Sequence, residues 1–382
     1  MSVILSVFAG REKNIKLLKK YLDIALEKKI IDEVHFWNNT RNKEDEAFLK
    51  TISNLKRSSS TCNTYIPLRA KGDIKFNIAN GIHFLVNGLY EIVLNNTRSV
   101  IHKNGVEIVS VKKPFQNENC ILKVENLNLC IYISNELFIS TQIDALLNTV
   151  EVKTVGSVCQ FDYTPIKNNG YWFMDTCQKS WKNYYQHYTG FNDSVILKCD
   201  DDIVFIDICK LPDFIRFIKS NDYDLVFANT INNGVSAYYQ QNKFNLIPKT
   251  LMDLEYPRNG LCGSLWSDGK KANQLHNYFI ENVDTFLKKE YTENIPITTR
   301  FSINFFGYLG KNWHKIRNCY NDDERILTVN YVKKSNFKNI LFTPFYVSHL
   351  SFYKQVETGI NTEDLLKKYE MLFLQKINDL KK

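Results

Sequence analysis

The sequence predicts an α/β protein: a mixed sheet flanked by helices, interrupted by an inserted antiparallel β-sandwich. Three observations predict it. Apolar runs alternate with amphipathic stretches of helical spacing over residues 2–55. Residues 64 to about 150 carry only short apolar runs with turn residues between them. From about residue 156 the helix and strand alternation resumes.

The elements follow in order. Ser2 to Phe8 is apolar and reads as a buried strand, closed by the turn Ala9-Gly10-Arg11. Residues 12 to 30 place Ile15, Leu18, Leu22, Ala25 and Leu26 at helical spacing. Val34 to Trp37 is a second strand, residues 38–42 are a polar loop, and a second amphipathic helix runs to about Leu55. This order implies parallel strands, with ligands at their carboxyl ends. Eight short strands follow: Ile74–Ile78, His83–Val86, Tyr90–Leu94, Val100–His102, Val106–Val111, Cys120–Val124, Leu129–Ile133 and Leu137–Ile139. Asn-Gly pairs at 80–81, 87–88 and 104–105 supply turn chemistry. Residues 57–61, Arg-Ser-Ser-Ser-Thr, form the entry linker. Tyr171 to Tyr188 reads as an aromatic-rich helix, and its rings Tyr171, Trp172, Trp181, Tyr184 and Tyr185 read as core, one or two being able to stack on a sugar or a base. Further helices are expected over 211–220, 271–289 and 362–380, and a strand over 224–228. The resulting divisions are 1–62 and 156–355 for the α/β part, 63–155 for the insert and 356–382 for a terminal helix.

Composition narrows the function classes. An apolar fraction of 44% over 382 residues suffices for about two cores. The net charge of +8 is spread along an Asn-, Ile- and Lys-rich chain with no dense basic run. Codon bias in an AT-rich genome explains it as well as nucleic-acid binding does; with no dense basic run, nucleic acid is not expected as a partner, whereas anionic ligands are favoured. Nine cysteines, an odd number without a C-x-x-C pair, read as reduced thiols. With no signal-peptide pattern and no spanning apolar run, the expected location is cytoplasmic.

The stretch Val195 to Asp207, Val-Ile-Leu-Lys-Cys-Asp-Asp-Asp-Ile-Val-Phe-Ile-Asp, carries the chemistry. Three adjacent carboxylates between apolar runs repel one another and lose water, so they require a counter-charge. A divalent cation with oxygen ligands, Mg²⁺ or Mn²⁺, meets that requirement. If the segment is extended, Asp200 and Asp202 project together and Asp201 points away, a D-x-D pair. The alternative is an acidic turn between two strands.

This segment resembles the D-x-D region of nucleotide-sugar-dependent glycosyltransferases of the GT-A, Rossmann-like fold. Three other segments are similar to parts of the same family: Ser6 to Arg11, His35 to Asn42, and Asn321 to Arg325 followed by Val347-Ser348-His349 and Phe352-Tyr353. The resemblance implies a metal-dependent transfer of a sugar from a nucleotide-diphosphate sugar to a glycan or glycoprotein acceptor. It implies that Phe8, Ala9, Gly10, Arg11, Asn38, Thr40, Arg41, Asp200 and Asp201 hold the donor, and that Asp200, Asp202 and His349 hold Mn²⁺ or Mg²⁺. His349 reads alternatively as a core histidine. The general base implied is Asp323 or Glu324, with Asp323 preferred and Asp268 as a rival. A solvated acidic loop is the plainer reading of that cluster. The run Asn259 to Gly263 is either a backbone approach to the sugar or a plain loop.

The insert resembles the β-sandwich called the farnesoic acid O-methyltransferase type, through Ile74 to Ile78, Tyr90 to Leu94, Arg98 to Ile101 and Leu129 to Ile133. It departs from that pattern where Asn95 and Asn96 replace glycines. The resemblance implies a carbohydrate-binding module or a structural insert. Two alternatives to sugar transfer stand beside it: a non-catalytic carbohydrate-binding or structural protein acting through the insert, and a nucleotidyltransferase.

Overall fold

A computed structural model describes the chain except residues 56–67, 78–81, 87–88, 95–96, 113–118, 144–149, 154–160, 166–168, 175–180, 188–190, 261, 292, 318, 320, 336 and 382. It divides into two compact units, 1–34 with 40–45 and 191–382, and 35–39 with 46–190. The chain is therefore mixed α/β with a separate antiparallel region. The entry linker and the Asn-Gly pairs at 80–81 and 87–88 lie outside the described residues.

In the first unit, Ser2–Ala9 pairs in parallel with Ser194–Asp200, in the register Phe8↔Asp200. Phe305–Leu309 runs antiparallel to Ser194–Asp200 and to Leu225–Ile231. Leu225–Ile231 is parallel to Asn339–His349, which also pairs antiparallel with Ile203–Ile206. Four strands, ending at Ala9, Asp200, Ile231 and His349, thus share one direction and deliver their carboxyl ends to one edge. The antiparallel strand Phe305–Leu309 starts at that edge, which brings Asn304 to it. The opening strand and helix order implied parallel pairing for its own strands; this antiparallel strand makes the whole sheet mixed, as expected. Its closeness to its neighbours depends on Gly307, where an added Cβ would lie 2.4 Å from Ile218 and 2.8 Å from Leu197.

Helix Glu12–Glu27 buries Ile15, Leu18, Tyr21, Leu22 and Ala25 on one face. Tyr21 packs edge-on to Phe205 and Phe373, at 5.8 and 4.9 Å between ring centroids, which ties the helix to Ile203–Ile206 and to the terminal helix Thr362–Lys381. Its first N–H is capped from outside: the Glu12 amide donates to Asp45 Oδ1 at 2.8 Å. Leu211–Ser220 starts with Pro212 in its first turn, where a missing N–H costs nothing. The expected helix over 271–289 is two helices, Gly269–Glu281 and Val283–Leu287.

Asp207 lies buried ahead of Leu211–Ser220, with the Lys210 amide donating to its Oδ1 at 3.3 Å and no hydrogen bond to its Oδ2. Burial pushes its carboxyl up to about 7. A carboxyl raised on folding takes up a proton with the native state. Its contribution to stability is therefore complete below the ordinary carboxylate range and is lost as pH rises toward 7. Replacing Asp207 with asparagine removes that dependence. Relative to the wild type, the variant gains about 2 kcal/mol between about pH 5 and about pH 8. Urea unfolding at both pH values measures it; parallel changes in the two proteins would refute the protonation.

The second unit is built on alternation. Tyr90–Leu94 buries every second residue, and Tyr90, Ile92 and Leu94 share one apolar core with Ile74, Ile101, Cys120, Leu122, Leu129, Ile131 and Ile139. All eight expected strands are present, with ends moved by up to six residues at Leu68–Asn77. Among the described residues three hairpins close with two residues each, at Asn104-Gly105, Asn126-Leu127 and Ser134-Asn135, all six with positive φ. Asn-Gly marked the first. The other two carry no glycine.

Two sequence readings are corrected. Tyr171–Met174 is a strand rather than the start of a helix. It pairs in parallel with Asn54–Leu55, Trp172↔Asn54, and buries Tyr171 and Phe173. The second early helix ends at Ile52 because Asn54–Leu55 is needed for that pairing. Helical structure resumes at Lys182–His187. Tyr171, Tyr184 and Tyr185 are core, as their composition suggested. Tyr171 stacks on Phe36 at 5.4 Å, and Tyr184 meets Trp37 edge-on at 5.5 Å.

Candidate functional site

Ser194–Asp200 ends at Asp200, and the chain turns at Asp201 and Asp202 before Ile203–Ile206 begins. That turn overturns the predicted side-chain alternation, which requires extended backbone. Asp201 and Asp202, not Asp200 and Asp202, project together. They meet Arg11, which follows the carboxyl end of Ser2–Ala9. Arg11 Nη2 donates to Asp201 Oδ1 at 2.5 Å and to Asp202 Oδ2 at 2.8 Å, and Arg11 Nε donates to Asp201 Oδ2 at 3.2 Å. The Gly10 amide donates to Asp201 Oδ2 at 3.0 Å. The planar guanidinium is suited to this, because its fixed fork satisfies two carboxylates at once.

Asp200 has other partners. The buried Lys198 ammonium pairs with its Oδ1 and donates to the Ile303 carbonyl at 2.7 Å. Asn304 Nδ2 donates to Asp200 Oδ2 at 3.1 Å. Lys198 also lies over the Phe8 ring, 4.6 Å from its centroid. A lysine inside an apolar run reads as an intrusion until this partner is seen. The counter-charge assigned from sequence to a divalent cation is thus provided by two side chains, Arg11 for Asp201 and Asp202 and Lys198 for Asp200.

His349, at the end of Asn339–His349, brings Nε2 to 3.3 Å from Asp202 Oδ1. Its backbone is fixed from several sides. Asn232 Nδ2 donates to the His349 and Leu350 carbonyls at 3.2 and 3.3 Å, and the Leu350 amide donates to the Asp202 carbonyl at 2.9 Å. The buried His276 ring contacts Leu350 O at 3.1 Å and Tyr369 Oη at 2.7 Å. Burial lowers the His276 pKa to about 3 and keeps that ring neutral.

The electrostatics separate the two carboxyls. Burial pushes both up. At Asp202, His349 and Arg11 outweigh it and hold the group well below the usual carboxylate range. At Asp201, burial wins against the Arg11 hydrogen bond, and the group is raised. Burial opposes the Arg11 charge as well, yet the two carboxylates carry its pKa above the ordinary arginine value.

A cation at this site can be tested against the donors. Two cis ligands at about 2.1 Å from an octahedral ion are about 3 Å apart. The 3.3 Å between Asp202 Oδ1 and His349 Nε2 suits such a pair. Buried atoms without a hydrogen bond, Asn304 Oδ1 and His349 Nδ1, belong to residues of the same cluster. Among the described residues no group of three or more His, Cys, Asp or Glu converges on one point. The fit is therefore two protein donors, with the remaining positions left to ligand oxygens and water. Asp200 is turned to Lys198 and Asn304 instead of to this pair.

No protein-family model matches the chain, and no curated protein matches it. Among solved structures it is similar to the carbohydrate-binding module CBM66 from Bacillus subtilis, at 15% identity and a TM-score of 0.19 over 28% of this chain and 76% of that one. It is also similar to a toad ovary galectin in complex with thio-digalactose, at 9% identity and 0.19 over 25% and 98% of the chains. A Bacillus licheniformis beta-glucanase is a third, at 13% identity and 0.19 over 27% and 77%. At this TM-score the likenesses establish neither fold nor function for this chain.

The candidate bases have partners outside the Arg11–Asp202–His349 cluster. Asp268 caps Gly269–Glu281, accepting from the Lys270 and Lys271 amides at 2.9 and 3.0 Å. Glu324 pairs with Arg300 Nε at 2.5 Å, and burial raises its pKa against that pairing. Asp323 accepts from the Glu324 amide at 3.0 Å. Thr40 is buried, Arg41 is exposed, and Asn38 is buried in the second unit. Lys198 and Asn304 were missed from sequence. An isolated lysine in an apolar run was a readable signal for the first; Asn304 offered none.

Proposed function

We propose that the chain is a metal-dependent glycosyltransferase of the GT-A type, moving a sugar from a nucleotide-diphosphate sugar to a glycan or protein acceptor. One observation supports this reading above the others. Gly10-Arg11, Asp201-Asp202 and His349, far apart in sequence, gather where parallel strands end, the edge at which open α/β sheets take ligands. Arg11 keeps Asp202 ionised and oriented while remaining about one-third exposed. Asp202 and His349 would hold Mn²⁺ or Mg²⁺, which when bound supplies Lewis-acid neutralisation of the departing diphosphate. Asp200, one-quarter exposed, faces the donor ribose in this reading. Lys198 and Asn304 fix its orientation. Asp323 takes the acceptor proton, since Asp268 serves as a helix cap and Glu324 is held by Arg300.

A thermal-stability screen of nucleotide sugars, with and without Mn²⁺, tests the assignment. A true donor raises Tm by mass action, and more so with the metal. Diphosphate release on adding acceptor completes the assay. If no nucleotide sugar binds, the proposal fails. Pyrophosphate release from a nucleoside triphosphate would identify a nucleotidyltransferase instead. Glycan binding with no nucleotide binding would place the function in the antiparallel unit.

A further inference from the structure

A cavity of about 340 Å³ in the first unit is lined by Arg300, Arg325, Lys333, Asn259, Thr299 and Cys262, among others. Among the described residues no carboxylate lines it. Its walls are built, not incidental. Arg325, Val329 and Lys333 recur every four residues through the helical segments Asp323–Arg325, Ile326–Asn330 and Tyr331–Ser335, so they present one face. The middle segment is a π-helix, a form frequent at functional sites. The opposite wall is the loop around Gly260. Its φ is +71°, and an added Cβ would lie 1.6 Å from the Arg300 carbonyl, so only glycine lets the two segments approach.

The three cations differ. Arg300 is already compensated, by Glu324 at 2.5 Å and by Asp322 at 3.0 Å. Those carboxylates hold its guanidinium in place. Arg325 and Lys333 form no ion pair among the described residues. Two uncompensated positive charges therefore face one cavity beside the neutral donors of Asn259 and Thr299. Beside Thr299, the hydroxyl of the exposed Tyr256 hydrogen-bonds to Thr299 Oγ1, 2.8 Å away, and its ring packs against Tyr238 and Tyr239.

We propose that this cavity binds a phosphate monoester. Such a group carries close to two negative charges near neutral pH and offers three acceptor oxygens. That matches two free cations and several neutral donors better than a single-charged carboxylate does. The Tyr256 ring offers an apolar face to the carrier of the phosphate. The argument for the cavity uses neither Asp202 nor the sugar-transfer reading.

Cys262, an exposed thiol in the cavity, reports occupancy, and Cys209, also exposed, serves as internal control. Alkylation of each cysteine in the full chain is followed by mass spectrometry at constant ionic strength, with hexose 6-phosphate, inorganic phosphate, unphosphorylated hexose or sodium sulfate. Hexose 6-phosphate at roughly ten times its Kd is expected to slow Cys262 modification about tenfold and to leave Cys209 unchanged. The variant R325Q/K333Q, changed at two exposed positions, is expected to lose that protection while keeping its Tm. Protection by hexose 6-phosphate at lower concentration than by inorganic phosphate identifies an ester; equal protection identifies free phosphate. The proposal is overturned if neither phosphate protects Cys262, if unphosphorylated hexose or sulfate protects as well, or if R325Q/K333Q remains protected.

Discussion

Replacement of Arg11 by methionine is expected to cost about 3–5 kcal/mol of stability, the range for removing one partner of a buried ion pair. The side chain compensates Asp201 and Asp202 together, and both carboxylates are at least nine-tenths buried. Methionine keeps much of the apolar stem and removes the charge, so loss of packing contributes little. A second substitution makes the cause specific. Asp201 is the member of the pair that burial raises, so it is the one whose charge the site least tolerates. Asp201→Asn in the Arg11→Met background is expected to restore part of the loss. Urea unfolding of the four proteins gives the coupling energy. Arg11→Met within about 1 kcal/mol of the wild type, the worth of an exposed pair, would mean that the cluster is solvated.

The largest functional effect is expected at Asp202. Asn at this position keeps the shape and one acceptor oxygen but removes the charge that pairs with His349 and Arg11. Arg11 retains Asp201, so the fold survives. Turnover of the donor identified by the screen is expected to fall on the order of 10²–10³-fold, the scale for losing one preorganised electrostatic group. Stabilisation by Mn²⁺ should vanish with it, and wild-type turnover should stop in EDTA. Full wild-type turnover in EDTA would remove the metal from the mechanism. An Asp202→Asn enzyme with unchanged turnover would remove the residue itself.

Much of the scaffold was legible because its signals are local. Short apolar runs marked eight strands of the antiparallel unit but not Val150–Lys153 or Phe161–Pro165, and helical spacing marked Glu12–Glu27 and Leu211–Ser220. What failed depended on distant partners. Tyr171–Met174 is aromatic enough for either element, and the strand Asn54–Leu55 that decides it lies 117 residues earlier. The hairpins at Asn126-Leu127 and Ser134-Asn135 were hidden because neither contains glycine. Several residues singled out from sequence lie together in the structure, but their pairing was not legible. Asp200 to Asp202, Gly10, Arg11 and His349 were singled out, yet a carboxylate triplet reads the same whether a metal or an arginine answers it. Which of the three aspartates converge depended on a turn of two residues that no periodicity marks.

The distance along the chain between Arg11 and its partners becomes an order in time when the protein is made. Arg11 precedes Asp201 by 190 residues. Ribosomes add about 5–20 residues per second, so roughly 10–40 s separate the emergence of the guanidinium from that of the carboxylates it binds. Over that interval the apolar strand Ser2–Ala9 lacks Ser194–Asp200, its parallel neighbour in the finished sheet. An open apolar edge pairs readily with other chains. The hairpins at Asn104-Gly105, Asn126-Leu127 and Ser134-Asn135 close between immediate neighbours and can form while the first strand waits. A nascent chain halted before residue 200 would thus carry Ser2–Ala9 without this neighbour.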